Sequence, residues 1–151
     1  MIDLQIPMWE IVARLSLAIL TGGILGWERE TKEKPAGFRT MMMISLGAAT
    51  FTIVALLLYE NAVRTNPEAR VDYIRIIEGV AGGIGFLGAG TIIRQHGSVD
   101  GVTTAATIWV VGAVGVCCGV GSYALAAVTV ALALIILVVM RGVENRFVPK
   151  G

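Results

Sequence analysis

Two ionisable side chains, Arg14 and Glu78, stand inside apolar stretches of this sequence. A charge at mid-helix facing hydrocarbon costs roughly 2.5 to 3.5 kcal/mol, so each needs a partner, water or a route to an interface. Both lie about one turn inside the same end of apolar segments that run in the same direction, which places them at similar depth and makes an ion pair geometrically reasonable. Such a pair would either lock two helices together or line a water-accessible site; the alternative is that each side chain snorkels to the interface.

A second constellation gathers at segment ends: Glu28, Arg39, Thr40, Arg94, Asp100, Thr103 and Thr104. Where helices begin, their unpaired amides can be capped by Thr103, Asp100 or an incoming carboxylate such as Glu28. Where helices end, the carbonyl termini favour Arg39 or Arg94, and a bound cation would also fit. Capping and loop fastening are the bland reading of the same residues. Residues 28–34, with Pro35 and Gly37, read first as a solvated turn.

Glycines crowd one stretch, at Gly79, Gly82, Gly83, Gly85, Gly88 and Gly90. Each costs helix propensity but lets backbones approach closely. One reading is close helix packing, with Gly79 and Gly83 forming a GxxxG step like Gly22 with Gly26 and Gly115 with Gly119. The other is a helix that unwinds near 85–90 and turns backbone groups toward a cavity.

The elements that must position these residues follow from composition. The chain has 151 residues, 56% hydrophobic and 15% charged, with a formal net charge of +1. Its mean hydropathy is +0.78. That leaves too little polar surface for a soluble domain of this size, and the near-neutral balance does not suggest nucleic acid as a partner. A spanning helix needs about 20 mostly apolar residues. Five such segments occur, at about 11–27, 40–59, 74–93, 102–118 and 122–140, which predicts an all-α membrane bundle of five helices with a glycine-rich third. The last two are divided only by residues 119–121 and are expected to form a tight hairpin. Basic residues held on the cytoplasmic side set the orientation. Arg29, Lys32, Lys34 and Arg39, then Arg94, then Arg141, Arg146 and Lys150 share one face, so the amino terminus is expected outside and the carboxyl terminus in the cytoplasm. No basic cluster precedes the first span, which is therefore expected to be retained. Cys117 and Cys118 read as packing residues, and Trp9, Trp27 and Tyr59 as interfacial anchors. Trp109 is expected to pack between helices. His96 lies in a polar loop with no second ligand spaced to complete a metal site.

Taken in order, 26–30 (GWERE), 34–40 (KPAGFRT), 83–90 (GIGFLGAG) and 99–109 (VDGVTTAATIW) closely resemble the MgtC/SapB family of bacterial inner-membrane proteins. The set covers spans one to four. The positions matching the family's motifs are Glu28, Arg29, Gly37, Arg39, Thr40, Gly85, Gly88, Gly90, Gly101, Thr103, Thr104 and Trp109, which adds Arg29 to the polar cluster. The resemblance implies a multi-pass inner-membrane domain linked to magnesium limitation and, for some virulence-associated members, inhibition of the F-type ATP synthase. Several members also carry a soluble carboxyl-terminal domain; none is expected in this sequence, which stops at Gly151 soon after the fifth span.

Two function classes follow. A non-transporting regulator would use small-residue helix faces to bind another membrane complex such as the ATP synthase. The alternative is a transporter or channel for Mg²⁺ or another cation; Mg²⁺ wants oxygen ligands and keeps several waters, and a ring of Glu78 from several protomers would supply the carboxylates. An enzyme is not expected, because no nucleophile, base and orienting group stand in a workable arrangement. Beyond the lipid bilayer, the expected partner is a second copy in a homodimer or other homo-oligomer.

Overall fold

The structure is a computed structural model that describes residues 6–66, 72, 74–95 and 98–140, with the side chains of 93–95 and 98 set aside. Five helices run in chain order: α1 (Met8–Glu30), α2 (Phe38–Thr65), α3 (Ile74–Ala89), α4 (Val102–Val120) and α5 (Tyr123–Ile135). A π-helical turn, Ile136–Met140, continues α5. Between α3 and α4, β1 (Ile93–Gln95) and β2 (Ser98–Asp100) pair antiparallel with Ile93 opposite Asp100, a small hairpin in a stretch expected to be only a polar loop.

Four of the described helices, counting α5 with its π-helical continuation, are long and apolar enough to cross a membrane. The expected third span is the exception. α3 has 16 residues, about 24 Å at ~1.5 Å per residue, against a hydrocarbon layer of ~30 Å. It stops at Ala89 because Gly90 and the turn through Ile92 lead into β1. The helix is continuous through Gly85 and Gly88, so it does not unwind within the glycine stretch; only Gly90 falls outside it.

Local chemistry sets the helix ends. The Phe38 N–H, an otherwise orphaned first-turn amide of α2, donates to Glu30 Oε2 at 2.9 Å, which ties the end of α1 to the start of α2. Asp72 Oδ1 accepts the Ile74 N–H at 3.1 Å and so caps α3. At the end of α4, Ser122 N–H bonds Cys117 O and Gly121 N–H bonds Cys118 O, a Schellman motif with Gly121 at φ +87°. That turn makes α4 and α5 the expected hairpin.

The core is a seam of small residues around α2. On one side, a Cβ added to Gly22 would meet Met41 O at 2.7 Å and Ser45 Cβ at 2.8 Å, and one on Gly26 would meet Phe38 Cα at 2.8 Å. On the other side, Gly115 lies against the Ser45 backbone, and a Cβ on Gly119 would meet Thr52 Cβ at 2.7 Å and Ala49 O at 2.8 Å. The GxxxG steps of α1 and α4 thus serve the close packing expected of them, and the structure shows that the helix they grip is α2. Leu25, Met41, Ile108, Val111, Val114 and Cys118 fill the space around them. Gly79, Gly82, Gly83 and Gly85 do the opposite: an added Cβ meets nothing within 4 Å, so no neighbouring helix of this chain uses them for close packing. Of the α3 glycines, Gly88 alone approaches α4, with Ala105 O 3.1 Å from its missing Cβ. Trp109 also departs from expectation. It is 54% exposed, because the buried faces of α4 are drawn in by Gly112, Gly115 and Gly119 and leave no room for an indole.

Candidate functional site

α1 buries a stripe through Ala18, Gly22, Leu25, Gly26 and Arg29, so the helix period that seats the glycines on α2 also turns Arg29 inward. Arg29 is only 4% exposed. Its Nη2 donates to Thr104 Oγ1 at 2.8 Å, across 75 positions of sequence, and its Nη1 lies 3.6 Å from Glu28 Oε2. Thr104, in the first turn of α4, is 1% exposed. The Glu28 side chain is largely buried, and its Oε2 accepts no hydrogen bond. The guanidinium sits in the last turn of α1, where the carbonyl end of the helix dipole favours a cation. A buried arginine of this kind is held by its carboxylate neighbour and the threonine hydroxyl together, and it fastens α1 to α4.

The bond from Arg29 to Thr104 brings the carboxyl end of α1 and the amino end of α4 to one face. Four further members of the expected cluster are not part of this buried centre. Arg39, Thr40, Asp100 and Thr103 are exposed. Arg94 lies on β1 with its side chain outside the described set, and His96, Arg141, Arg146 and Lys150 lie outside the described residues. The expectation of a solvated turn at 28–34 is corrected at its start, because α1 continues through Glu30 and carries Glu28 and Arg29 into the interior. The signal was available: Arg29 stands three residues beyond Gly26 and seven beyond Gly22. The capping role of Glu30 was not expected.

The expected ion pair between Arg14 and Glu78 is not formed. Arg14 Nη2 and Nε donate to Glu10 Oε1 at 2.5 and 3.2 Å, and Nη1 donates to Gly119 O at 2.7 Å. A carboxylate one turn earlier on the same helix is the nearer partner, and the absence of a side chain at Gly119 opens the last carbonyls of α4 to the guanidinium. Arg14 therefore caps α4 from α1. Glu78 stands exposed on α3 and makes no hydrogen bond or ion pair among the described residues.

Beside the buried centre a groove of about 980 Å³ runs between α2 and α3, floored by Ile108 of α4. Its walls are apolar apart from Arg39, Thr40 and Thr91. Among the described residues, no three His, Cys, Asp or Glu side chains are grouped to hold a metal ion. This arrangement offers a buried arginine whose hydrogen bond to Thr104 locks two helix ends, an exposed carboxylate at Glu78 on α3 and a large apolar outer surface.

The model of a family described as "MgtC family" matches residues 15–146. The chain is 36% identical over 135 residues to "Protein MgtC" of Brucella abortus (strain 2308), an overlap that covers 89% of this chain and 53% of that protein. It is 36% identical over 142 residues to "Putative magnesium transporter YhiD" of Escherichia coli (strain K12), covering 94% and 66%. To "Protein MgtC" of Salmonella typhimurium (strain 14028s / SGSC 2262) the identity is 37% over 132 residues, covering 86% and 53%. The chain thus spans about half the length of the MgtC proteins it matches. No solved structure matches.

Proposed function

Since the chain belongs to the MgtC family of magnesium-linked membrane proteins, we propose that it is a regulator which docks sideways in the bilayer onto another membrane complex, with the F-type ATP synthase as the first candidate. The observation that carries this reading is the outer surface of α3. An added Cβ at Gly82 or Gly85 meets nothing within 4 Å, Glu78 is exposed near them in sequence with no partner among the described residues, and on α4 Trp109 is largely exposed. An unpaired carboxylate and an indole N–H are costly against hydrocarbon, and small residues permit a second helix to approach closely. By contrast, among the described residues the buried Arg29 fastens α1 to α4, and no run of oxygen ligands passes through the bundle.

In this reading the protein lies in the bacterial inner membrane with its amino terminus outside, the face carrying Arg29 and Thr104 is cytoplasmic, and the chain is a homodimer before it meets its target. The test is recovery of ATP synthase membrane subunits with the tagged protein from native membranes. Gly82→Leu and Gly85→Leu should lose those subunits while the protein itself remains folded. Gly88→Leu is a poor probe, since Gly88 is already packed on Ala105. Recovery of the protein with itself alone would refute docking. The cation-transport reading, which the name of the E. coli relative favours, makes a different prediction. Mg²⁺ flux in liposomes that Glu78→Gln abolishes would replace the regulator with a transporter.

A further inference from the structure

The groove between α2 and α3 has the dimensions and polarity of a binding site for one lipid of one leaflet. On α2 its wall runs from Arg39 through Met43, Gly47 and Phe51. The twelve steps from Arg39 to Phe51 make about 18 Å of helix at ~1.5 Å each, close to the ~15 Å that is half of a hydrocarbon layer. On α3 the wall runs the opposite way, from Ile76 through Gly83 to Leu87 and then Thr91. The polar lining residues, Arg39, Thr40 and Thr91, therefore all fall at one end, and everything beyond them is aliphatic, aromatic or glycine.

The charged end is unspent. Arg39 is exposed and makes no ion pair or hydrogen bond among the described residues, and the Thr40 hydroxyl makes none either. The Thr91 hydroxyl already donates to Gly88 O at 2.7 Å, so it can only accept. Glu30 Oε2 accepts the Phe38 amide at 2.9 Å. Arg39 also lies in the first turn of α2, where the helix dipole adds to its positive charge. At the other end Gly47, Gly79 and Gly83 leave open space where side chains would otherwise fill the trough. One cationic end on an otherwise apolar trough matches a molecule with an anionic head and a hydrocarbon tail.

We propose that this groove holds an anionic glycerophospholipid of the leaflet that faces the carboxyl end of α1, with one acyl chain lying along Gly47, Gly79 and Gly83 and its phosphate on Arg39. The site is independent of the docking surface proposed above, because Gly82, Gly85 and Trp109 do not line it.

The test is native mass spectrometry of the full chain purified in detergent and incubated with phosphatidylglycerol or phosphatidylcholine. The unmodified protein should retain one phosphatidylglycerol in preference to phosphatidylcholine. Arg39→Gln should weaken phosphatidylglycerol retention about fivefold, the effect of one basic residue on an anionic lipid surface, and remove the preference. Gly83→Leu, which places its side chain in empty space, should displace both lipids without unfolding the helix. Ala127→Leu, which places a leucine on the exposed face of α5, should change neither. Equal retention of the two lipids by the unmodified protein, or undiminished retention by Gly83→Leu, would overturn the proposal. So would a dimer mass, in place of bound lipid, that Gly83→Leu abolishes, since the occupant would then be a second copy.

Discussion

The glycines of this chain should divide into two groups whose replacement by alanine has opposite signs. At Gly22 a methyl group would meet Met41 O at 2.7 Å and Ser45 Cβ at 2.8 Å, and at Gly119 it would meet Thr52 Cβ at 2.7 Å and Ala49 O at 2.8 Å. These are backbone atoms and branch points that cannot rotate away, so the helices must separate. Overpacking of that kind costs ~1 to 3 kcal/mol, while alanine recovers ~1 kcal/mol of helix propensity. The expected net effect of Gly22→Ala or Gly119→Ala is a loss of up to about 2 kcal/mol, because strain in a seam that passes through both faces of α2 outweighs propensity. At Gly79, Gly82, Gly83 and Gly85 the added methyl meets nothing within 4 Å. Each alanine there should stabilise by about 0.5 to 1 kcal/mol through propensity alone. Equilibrium unfolding in mixed micelles, followed by helical circular dichroism across all six single variants, reads both signs in one series. If Gly22→Ala stabilises as much as Gly82→Ala, the close approach of α1 to α2 is wrong and with it the placement of Arg29.

Three further outcomes follow from the polar contacts. Arg29→Ala strands the buried Glu28 carboxylate and should cost about 3 kcal/mol, the lower end for a broken buried pair because Glu28 is not fully enclosed; Arg29→Gln with Glu28→Gln should recover most of it, and failure to recover would show that Glu28 is not what the arginine neutralises. In a double-mutant cycle, Arg14→Gln should couple to Glu10→Gln by more than ~0.5 kcal/mol and be additive with Glu78→Gln; coupling to Glu78 would restore the ion pair expected from the sequence. Ser45 Oγ is fully enclosed with no hydrogen-bond partner, so Ser45→Ala should leave stability unchanged or raise it by up to ~1 kcal/mol, and a loss larger than that in the same unfolding assay would reveal a partner for the hydroxyl.

Hydropathy, the GxxxG steps of α1 and α4 and the residues of the family motifs are local properties, and they were enough to place four long apolar helices, the α4–α5 hairpin, the use of those steps in close packing and the membership of the family. A span is legible because lipid demands the same thing of every residue along it, and a GxxxG step because two glycines one turn apart share a face whatever lies opposite. Which partner a charge takes is a different kind of fact. Arg14 had Glu10 one turn away and Glu78 on another helix, and only the approach of Gly119 decided that its third bond goes to α4. Gly79, Gly82, Gly83 and Gly85 of α3 look in the sequence like the glycines of α1 and α4, yet they face open space, because α3 leans on α4 through Ile84 and Gly88 and leaves the trough beside α2 unfilled. Arg29 could be assigned to a buried stripe by its spacing from Gly22 and Gly26, but its bond to Thr104 required two segments 75 positions apart to meet. Local periodicity fixes which way a side chain faces along its own helix; what it faces is set by how the helices pack, and that depends on every contact in the bundle at once.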